Sequence, residues 1–418
     1  MSLPKRLLHP GTRAPGQKYT EENNIMDLFQ KCIDYTVADE AKAAGVYIYF
    51  HALESRQDTE VIMEGKRRIM MGSNNYLGLT IAPDVIEAGV KALEQYGSGC
   101  SGSRFLNGTL DLHLQLEKEL AEFLRKEQVV TFSTGFQSNL GIISCLVGRH
   151  DYVICDRENH ASIYDGCRLS YGKMLRYKHN DMAELEQCLQ RVPFDTAGAL
   201  IVTDGVFSMG GDIANLPEIV RLAKKYGARV MVDDAHAFGV IGEGGRGTAS
   251  YYGLEDEVDI YMGTFSKSLA SLGGYMASSE RVANFVRHNS REHIFSASIT
   301  PASCATCLAA LRHLKAHPEL PKQLIRISNY FRQALTERGV KVRASETPIV
   351  PIFTYETMQT LEIAKKIYDA GVYVNCSIPP AAAPNECLIR TSLMATHTEA
   401  LCDEAAELIA GVLREYDL

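Results

Sequence analysis

The chain has 418 residues, 46% of them apolar, and its 43 Lys and Arg against 51 Asp and Glu give a net charge of -8. That length can bury a large core and suggests about two or three domains, while the acidic balance and the lack of a basic run argue against nucleic acid as a partner. Eleven cysteines scattered through apolar stretches suit a reducing compartment, and no apolar run is long enough for an integral membrane segment, so a cytoplasmic protein is expected.

The polar start, MSLPKRLLHPGTRAPGQKYTEENN, has two early basic residues but no apolar core behind them, unlike a secretory leader. Helical periodicity is expected over 24–44, and 60–71 alternates like two short strands around Gly65; residues 1–70 read as an arm. Helical stretches then alternate with β-branched runs at 129–132, 152–155, 200–203, 230–232, 259–262 and 275–277. Such alternation predicts an α/β domain over 71–300, a mostly parallel sheet with helices on both faces. Within it, Pro83 opens a helix that Gly97 closes, and Asp181 with Glu184 resembles a capping box. From 301 the pattern becomes two long helices, a strand at 349–354, a helix to Ala370, strands at 372–375 and 388–393, and a last helix, a smaller α+β domain over 301–418. Cys304 and Cys307 fall in the first of these helices with no second pair nearby, so they are expected to pack in the core rather than to bind zinc.

Candidate polar groups follow the carboxyl ends of the predicted strands, where ligands bind in open α/β sheets. In Gly263-Thr264-Phe265-Ser266-Lys267-Ser268-Leu269, followed by Gly273-Gly274, Lys267 reads as a Schiff-base lysine among hydroxyls small enough to admit a phosphate. The cofactor this implies is pyridoxal phosphate. A lysine flanked by serines is otherwise an ordinary surface loop, so its partners decide. Thr134-Gly135-Phe136 opens a helix, where glycine lets the backbone come close and free N–H groups suit a phosphate. His160, after 152–156, is free to lie over a planar ring or merely to cap a helix, and Ser208, after 200–203, reaches toward the cofactor or only toward solvent. In Val232-Asp233-Asp234-Ala235-His236, a carboxylate ending an apolar strand needs a cationic partner. A protonated pyridine nitrogen is one such partner for Asp233, and a helix or an arginine is the structural alternative. His236 is placed to reach the phenolic oxygen of the ring or the substrate.

These segments, with Gly72-Ser73-Asn74-Asn75-Tyr76-Leu77-Gly78-Leu79, the glycine-rich 97–104 run and Asn107-Gly108-Thr109 before His113, resemble the α-oxoamine synthase family of fold-type I pyridoxal-phosphate transferases from about residue 24 onward. The resemblance implies that Lys267 is the Schiff-base lysine and base, Asp233 the pyridine partner, His160 the stacking ring and His236 the phenolate partner. Gly135, Phe136 and Ser266 would bind the phosphate, with Thr264 and Ser208 completing the cofactor set. It further implies a homodimer with shared active sites, in which Ser298 of Phe295-Ser296-Ala297-Ser298 crosses to the other subunit's phosphate. Asn75 and Arg390 are the substrate-binding candidates, Arg390 receiving an amino-acid carboxylate on its planar fork; a buried arginine paired with an acid is the plainer reading. Asp234 departs from the glutamate usual in the family and Phe136 from its frequent tyrosine, each keeping charge or ring.

The reaction implied joins an amino acid to an acyl thioester, on coenzyme A or an acyl-carrier protein, with loss of carbon dioxide. The tail, with Val372-Tyr373-Val374-Asn375, Pro379-Pro380-Ala381, Leu388-Ile389-Arg390-Thr391-Ser392 and His397-Thr398, looks most like serine-using bacterial members. That points to L-serine and a long-chain acyl donor, giving 3-ketosphinganine for sphingolipid synthesis. Siblings that use cysteate, glycine or alanine would keep every cofactor residue. A non-catalytic partner subunit is disfavoured by Lys267. A nicotinamide enzyme needs its glycine fingerprint directly after a strand, whereas Gly97-Ser98-Gly99 follows a predicted helix.

Overall fold

The computed structural model describes residues 27–379, 381–383 and 385–418; the polar start and Pro380 lie outside the described residues. Contacts divide the chain into two units, Met1–His51 and Ala52–Leu418. In the first, the helix expected over 24–44 is two short pieces, Gln30–Ile33 and Val37–Ala43. The break falls at Asp34-Tyr35-Thr36, where Gln30 Nε2 donates to Asp34 Oδ1 at 2.9 Å and Thr36 Oγ1 donates to Glu40 Oε1 at 2.6 Å.

The second unit begins with the hairpin of β1 (Glu60–Met63) and β2 (Lys66–Met70), turned by Glu64 and Gly65, both with positive φ. The strands β3 (Gln128–Phe132), β4 (Tyr152–Asp156), β5 (Lys173–Tyr177), β6 (Ala199–Asp204), β7 (Arg229–Asp233), β8 (Ile260–Thr264) and β9 (Gly274–Ser278) form one seven-stranded sheet. Their order is β3-β9-β8-β7-β6-β4-β5. β4 to β8 are parallel, and β9 alone runs against its neighbours β8 and β3. The link from Thr264 to Gly274 is shorter than the dozen or so residues a parallel crossover needs, so the chain turns straight back. β5, absent from the predicted strands, is an edge strand whose sequence KMLRY buries only Leu175 and Tyr177 and so shows no continuous apolar run.

β4, β6 and β8 are buried along their whole length beneath helices, as a sheet covered on both faces requires. The helix Gly135–Leu146 packs against Ala161–Leu169 on this sheet, and Gly166 sits where a Cβ would come 2.9 Å from the Asn139 carbonyl oxygen. Pro83 and Gly97 bound their helix as expected. Of the capping box, Asp181 accepts the Glu184 N–H, while the Glu184 carboxylate reaches back to Lys178 N rather than to Asp181.

Beyond the helices Pro301–Ala316 and Leu320–Glu337 come β10 (Ile349–Tyr355), β11 (Val372–Tyr373), β12 (Asn375–Ser377) and β13 (Cys387–Ser392). β10, β13 and β12 make an antiparallel sheet, which with the flanking helices Thr357–Ala370 and Glu399–Arg414 is the smaller C-terminal domain. The strand expected over 372–375 is divided at Val374: β11 joins β2 in parallel, with Val372 opposite Ile69, and β12 joins β13. The β1–β2 hairpin thereby shares a sheet with the C-terminal half of the chain. Helix Pro301–Ala316 lies close on Pro83–Tyr96, for a Cβ at Gly89 would stand 2.8 Å from Thr306 Cγ2. Cys304 and Cys307 are buried in that packing, and all eleven cysteines are free thiols. No helix among the described residues is long and apolar enough to cross a membrane.

Candidate active site

The carboxyl ends of β3, β4, β6, β7 and β8 lie along one edge of the large sheet and bring most of the predicted residues together. After β3, Thr134 caps the helix Gly135–Leu146 by accepting the Gln137 N–H at 3.1 Å. Gly135 is needed there because a Cβ would meet Thr264 Oγ1 at 2.7 Å. Gly274 is as constrained, since its Cβ would fall 2.7 Å from the Gly135 Cα. Thr264 Oγ1 and Ser266 Oγ lie 2.8 Å apart, so a helix start, a glycine cradle and two hydroxyls meet in one place. That donor set fits a phosphate.

Asp233, at the end of β7, is 2% exposed and accepts from Asn139 Nδ2 at 2.7 Å and from Ala235 N at 2.9 Å. Asn139 also gives Nδ2 to Ser162 Oγ at 2.8 Å, and so ties the carboxylate to the helix that His160 caps. His160 donates its backbone N–H to Asp204 Oδ2 at 2.8 Å, sets Nδ1 2.7 Å from Ser162 Oγ, and holds its ring edge-on to Phe136, centroids 6.3 Å apart. It thus caps a helix and faces the site at once. Burial by the surrounding chain holds its imidazole below the ordinary value, Asp233 opposing and Lys267 assisting.

Lys267 follows β8. Desolvation of its amine, with Arg390 nearby, outweighs the pull of Asp233 and Asp204 and brings its pKa down to about 8. An amine so tuned is neutral in part near neutrality, which a Schiff-base lysine and proton carrier needs.

His236 is buried, and burial pushes its pKa well below the ordinary value, with Lys267 and Arg390 acting in the same direction. Its Nδ1 lies 2.6 Å from the Tyr76 hydroxyl, which itself accepts from Arg390 Nη2 at 3.3 Å. The Tyr76 hydroxyl is also 3.4 Å from Asn74 Oδ1, so this phenol links His236, Asn74 and Arg390 in one buried network.

Arg390, in β13, is 3% exposed. It donates Nε to the Ser208 carbonyl at 2.6 Å, Nη1 to Ser392 Oγ at 3.3 Å, and Nη2 to Asn74 Oδ1 at 3.0 Å as well as to Tyr76. None of these partners is a carboxylate. A buried guanidinium held only by neutral groups leaves a charge for an arriving anion to neutralise.

Several predicted residues have partners within the chain. Ser208 meets Arg390 through its carbonyl. Asn75 gives Nδ2 to Thr80 Oγ1 at 2.7 Å, and its neighbour Asn74 is the carboxamide that faces Arg390. Ser298 lies against the glycine-rich run, giving both Oγ and N to the Gly102 carbonyl, while Ser296, two residues before it, accepts on Oγ from Gln137 of the helix Gly135–Leu146. Asp234 points into a pocket of small residues, where Thr248 Oγ1 donates to it at 2.6 Å and Gly205 and Gly247 leave no room for a Cβ. Burial raises its pKa to about 7.

Asp204, Tyr76, Asn139 and Asn74 were not among the expected site residues. Asp204 was the most accessible of them, since it ends β6 as Asp233 ends β7 and directly precedes the Ser208 segment. Burial, then Asp233, raises its pKa well above the ordinary range. His313 and His317 stand four apart with rings 4.6 Å from each other, but no group of three metal-ligating side chains among the described residues is arranged to hold an ion.

A family model for aminotransferase class I and II matches residues 66–409. The chain belongs to that family. Serine palmitoyltransferase of Sphingobacterium spiritivorum is 52% identical over 391 residues, covering 94% of this chain and 98% of its own. Serine palmitoyltransferase of Bacteroides thetaiotaomicron is 52% identical over 391 residues, covering 94% of this chain and 99% of its own. A solved high-resolution structure of SPT with PLP internal aldimine superposes with a TM-score of 0.90 at 37% identity, over 94% of this chain and 99% of that one. The fold-type I architecture inferred from the motifs is therefore the fold of this family member.

Proposed function

We propose that the chain is a pyridoxal-phosphate-dependent C-acyltransferase that condenses L-serine with a long-chain acyl thioester to 3-ketosphinganine, the entry to sphingolipid synthesis. A bond forms between the serine α-carbon and the acyl carbonyl carbon. The thiol leaves with a proton, the carboxylate leaves as carbon dioxide, and a proton takes its place. The observation that carries the reading is Arg390: a buried cation with only neutral partners, close enough to lower the pKa of Lys267, suits the carboxylate of an amino acid held beside a basic amine. The 52% identity to serine palmitoyltransferases supports serine as that amino acid.

Pyridoxal phosphate, when bound, supplies an electron sink for the α-carbon. Asp233 would keep the pyridine nitrogen protonated, His236 would face the phenolic oxygen, and His160 would cover the ring. Gly135, Phe136, Thr264 and Ser266 would hold the phosphate. Lys267, neutral in part because its surroundings disfavour its charge, takes the α-proton and returns one later. Arg390, with Asn74 beside it, fixes the carboxylate until it departs. Asp234 carries no step, its carboxylate being taken by Thr248 N and Oγ1.

A homodimer with shared sites fits this reading, with Ser298 reaching the second phosphate. Leu106, 74% exposed, and Phe295, 76% exposed, flank the Ser298–Gly102 contact and are candidates for burial by a second copy. The free cysteines support the cytoplasm as its compartment. The test is competition: holoenzyme given equal L-serine, cysteate, glycine and L-alanine with one long-chain acyl-CoA, products read by mass. 3-Ketosphinganine should dominate. A dominant sulfonated ketone would overturn the substrate but spare the reaction, and no ketone from either an acyl-CoA or an acyl-carrier-protein donor would overturn the reaction.

A further inference from the structure

Outside the residues named so far, a charged cluster lies behind the loop that touches Arg390. After β6 the chain makes a tight hairpin over 205–214. Ala214 N donates to the Gly205 carbonyl at 3.0 Å, Phe207 N to the Asp212 carbonyl at 3.0 Å and Gly211 N to the Phe207 carbonyl at 2.9 Å. Ser208, at its tip, is the residue whose carbonyl accepts Arg390 Nε at 2.6 Å.

The base of this hairpin is held by His179. Its Nε2 is 2.5 Å from Asp212 Oδ2 on the hairpin, and its Nδ1 is 3.2 Å from Asp156 Oδ1 at the end of β4. The ring stands edge-on to the buried Phe207, centroids 4.3 Å apart. Both nitrogens face carboxylates, which accept and do not donate, so the ring sits there as imidazolium. Burial opposes that charge, but the bonds to Asp156 and Asp212 outweigh it and raise the pKa to about 10. Asp212 is further paired with Arg343 at 3.4 Å, and Ser345 and Thr347 each donate to the Gly211 carbonyl at 2.8 Å. The hairpin is thus stapled to the large sheet on one side and to the segment leading into β10 on the other.

We propose that His179 is a positioning residue for the amino-acid carboxylate: its ion pairs with Asp156 and Asp212 hold the Ser208 carbonyl against Arg390 Nε and so aim the second Nη1–H of the guanidinium, which none of the partners named above takes. Without the staple, Arg390 keeps its charge but loses its shortest anchor. The inference rests on Arg390 receiving the carboxylate, as proposed above.

The experiment uses holoenzyme and follows the change in cofactor absorbance on titration with L-serine. His179→Gln keeps a donor but removes the charge, and should weaken serine binding about tenfold. Cofactor affinity and the KM for the acyl thioester should not move. In an Arg390→Ala background, His179→Gln should add nothing further to the loss, because its effect passes through Arg390. A purely structural role would add in both backgrounds. Asp212→Asn carries the same test from the hairpin side should His179→Gln fail to fold. Unchanged serine affinity in a folded staple variant, or a full tenfold loss in the Arg390→Ala background, overturns the proposal. Unchanged serine affinity in Arg390→Ala itself overturns instead the reading of Arg390.

Discussion

Replacing Asp233 by asparagine removes one negative charge with almost no change of shape, and the surroundings determine the consequences. Asp233 now accepts from Asn139 Nδ2 and Ala235 N. In the variant, the new side-chain oxygen can keep the Ala235 N–H, while its amide group faces Asn139. Asn139 Oδ1 is buried without a hydrogen-bond partner, so turning that carboxamide supplies the acceptor and gives up the bond to Ser162. The net cost to the fold is about one hydrogen bond, ~1 kcal/mol. Chemistry should suffer far more. Without the anion at the pyridine nitrogen, carbanion stabilisation should fall by about 4 kcal/mol, roughly a thousandfold in kcat. Asp233 is also the strongest influence raising Lys267, so its loss should take that amine below about 8. The assays are thermal melting of the apoprotein, cofactor uptake by absorbance, and single-turnover ketone formation. A folded, cofactor-bearing Asp233→Asn enzyme with near-normal turnover would refute the reasoning and leave Asp233 a structural carboxylate.

Lys267 offers a pH test. Its folded pKa of about 8 lies under the ordinary 10.5, so the penalty for burying its charge is fully present below pH 8 and is relieved as pH rises toward 10.5. Lys267→Met apoprotein should therefore melt above the wild type at pH 7, with the gap closing by pH 10.5; a constant gap would contradict the assignment. Arg390→Lys keeps charge but loses the fork, and should weaken serine binding by about ten- to a hundredfold while leaving the acyl-thioester KM nearly intact; Arg390→Ala should be worse, and equal losses for both substrates would count against it. Phe295→Asp with Leu106→Asp should convert a sedimenting dimer to monomers with lost activity, whereas a wild-type monomer fully active at nanomolar concentration would remove the shared site.

What was legible in the sequence were features that one segment carries by itself. A carboxylate ending an apolar strand, a lysine among small hydroxyls and a glycine opening a helix each have a local physical signature, and Asp233, Lys267 and Gly135 meet at one sheet edge. The direction of β9 was not legible as a strand pattern, although the short link before it contains the answer. Asn74 and Asn75 are adjacent and chemically identical, so spacing cannot choose between them; only the turn in which Tyr76 N donates to the Asn74 carbonyl at 2.8 Å leaves Asn74 facing Arg390. Tyr76 lay within a recognised motif, yet its role depends on three segments, around 76, 236 and 390, meeting in space.

Arg390 is the extreme case, because it belongs to the small C-terminal sheet while Lys267 and Asp233 belong to the large one. The segment 71–76 joins them. Ser392 N donates to the Met71 carbonyl at 2.7 Å, Asn375 Nδ2 to the Gly72 carbonyl at 2.7 Å, and Ser392 Oγ to the Ser73 carbonyl at 2.6 Å. Asn74 and Tyr76 then hold the guanidinium itself, and Tyr76 passes on to His236 beside the large sheet. Gly72 cannot carry a side chain in this clasp, since its Cβ would stand 2.8 Å from the Tyr373 ring. One short strap therefore ties Arg390 in the small sheet to His236 beside the large one, which gives the Gly72-to-Leu79 motif a place in the proposed chemistry although no residue in it carries a charge.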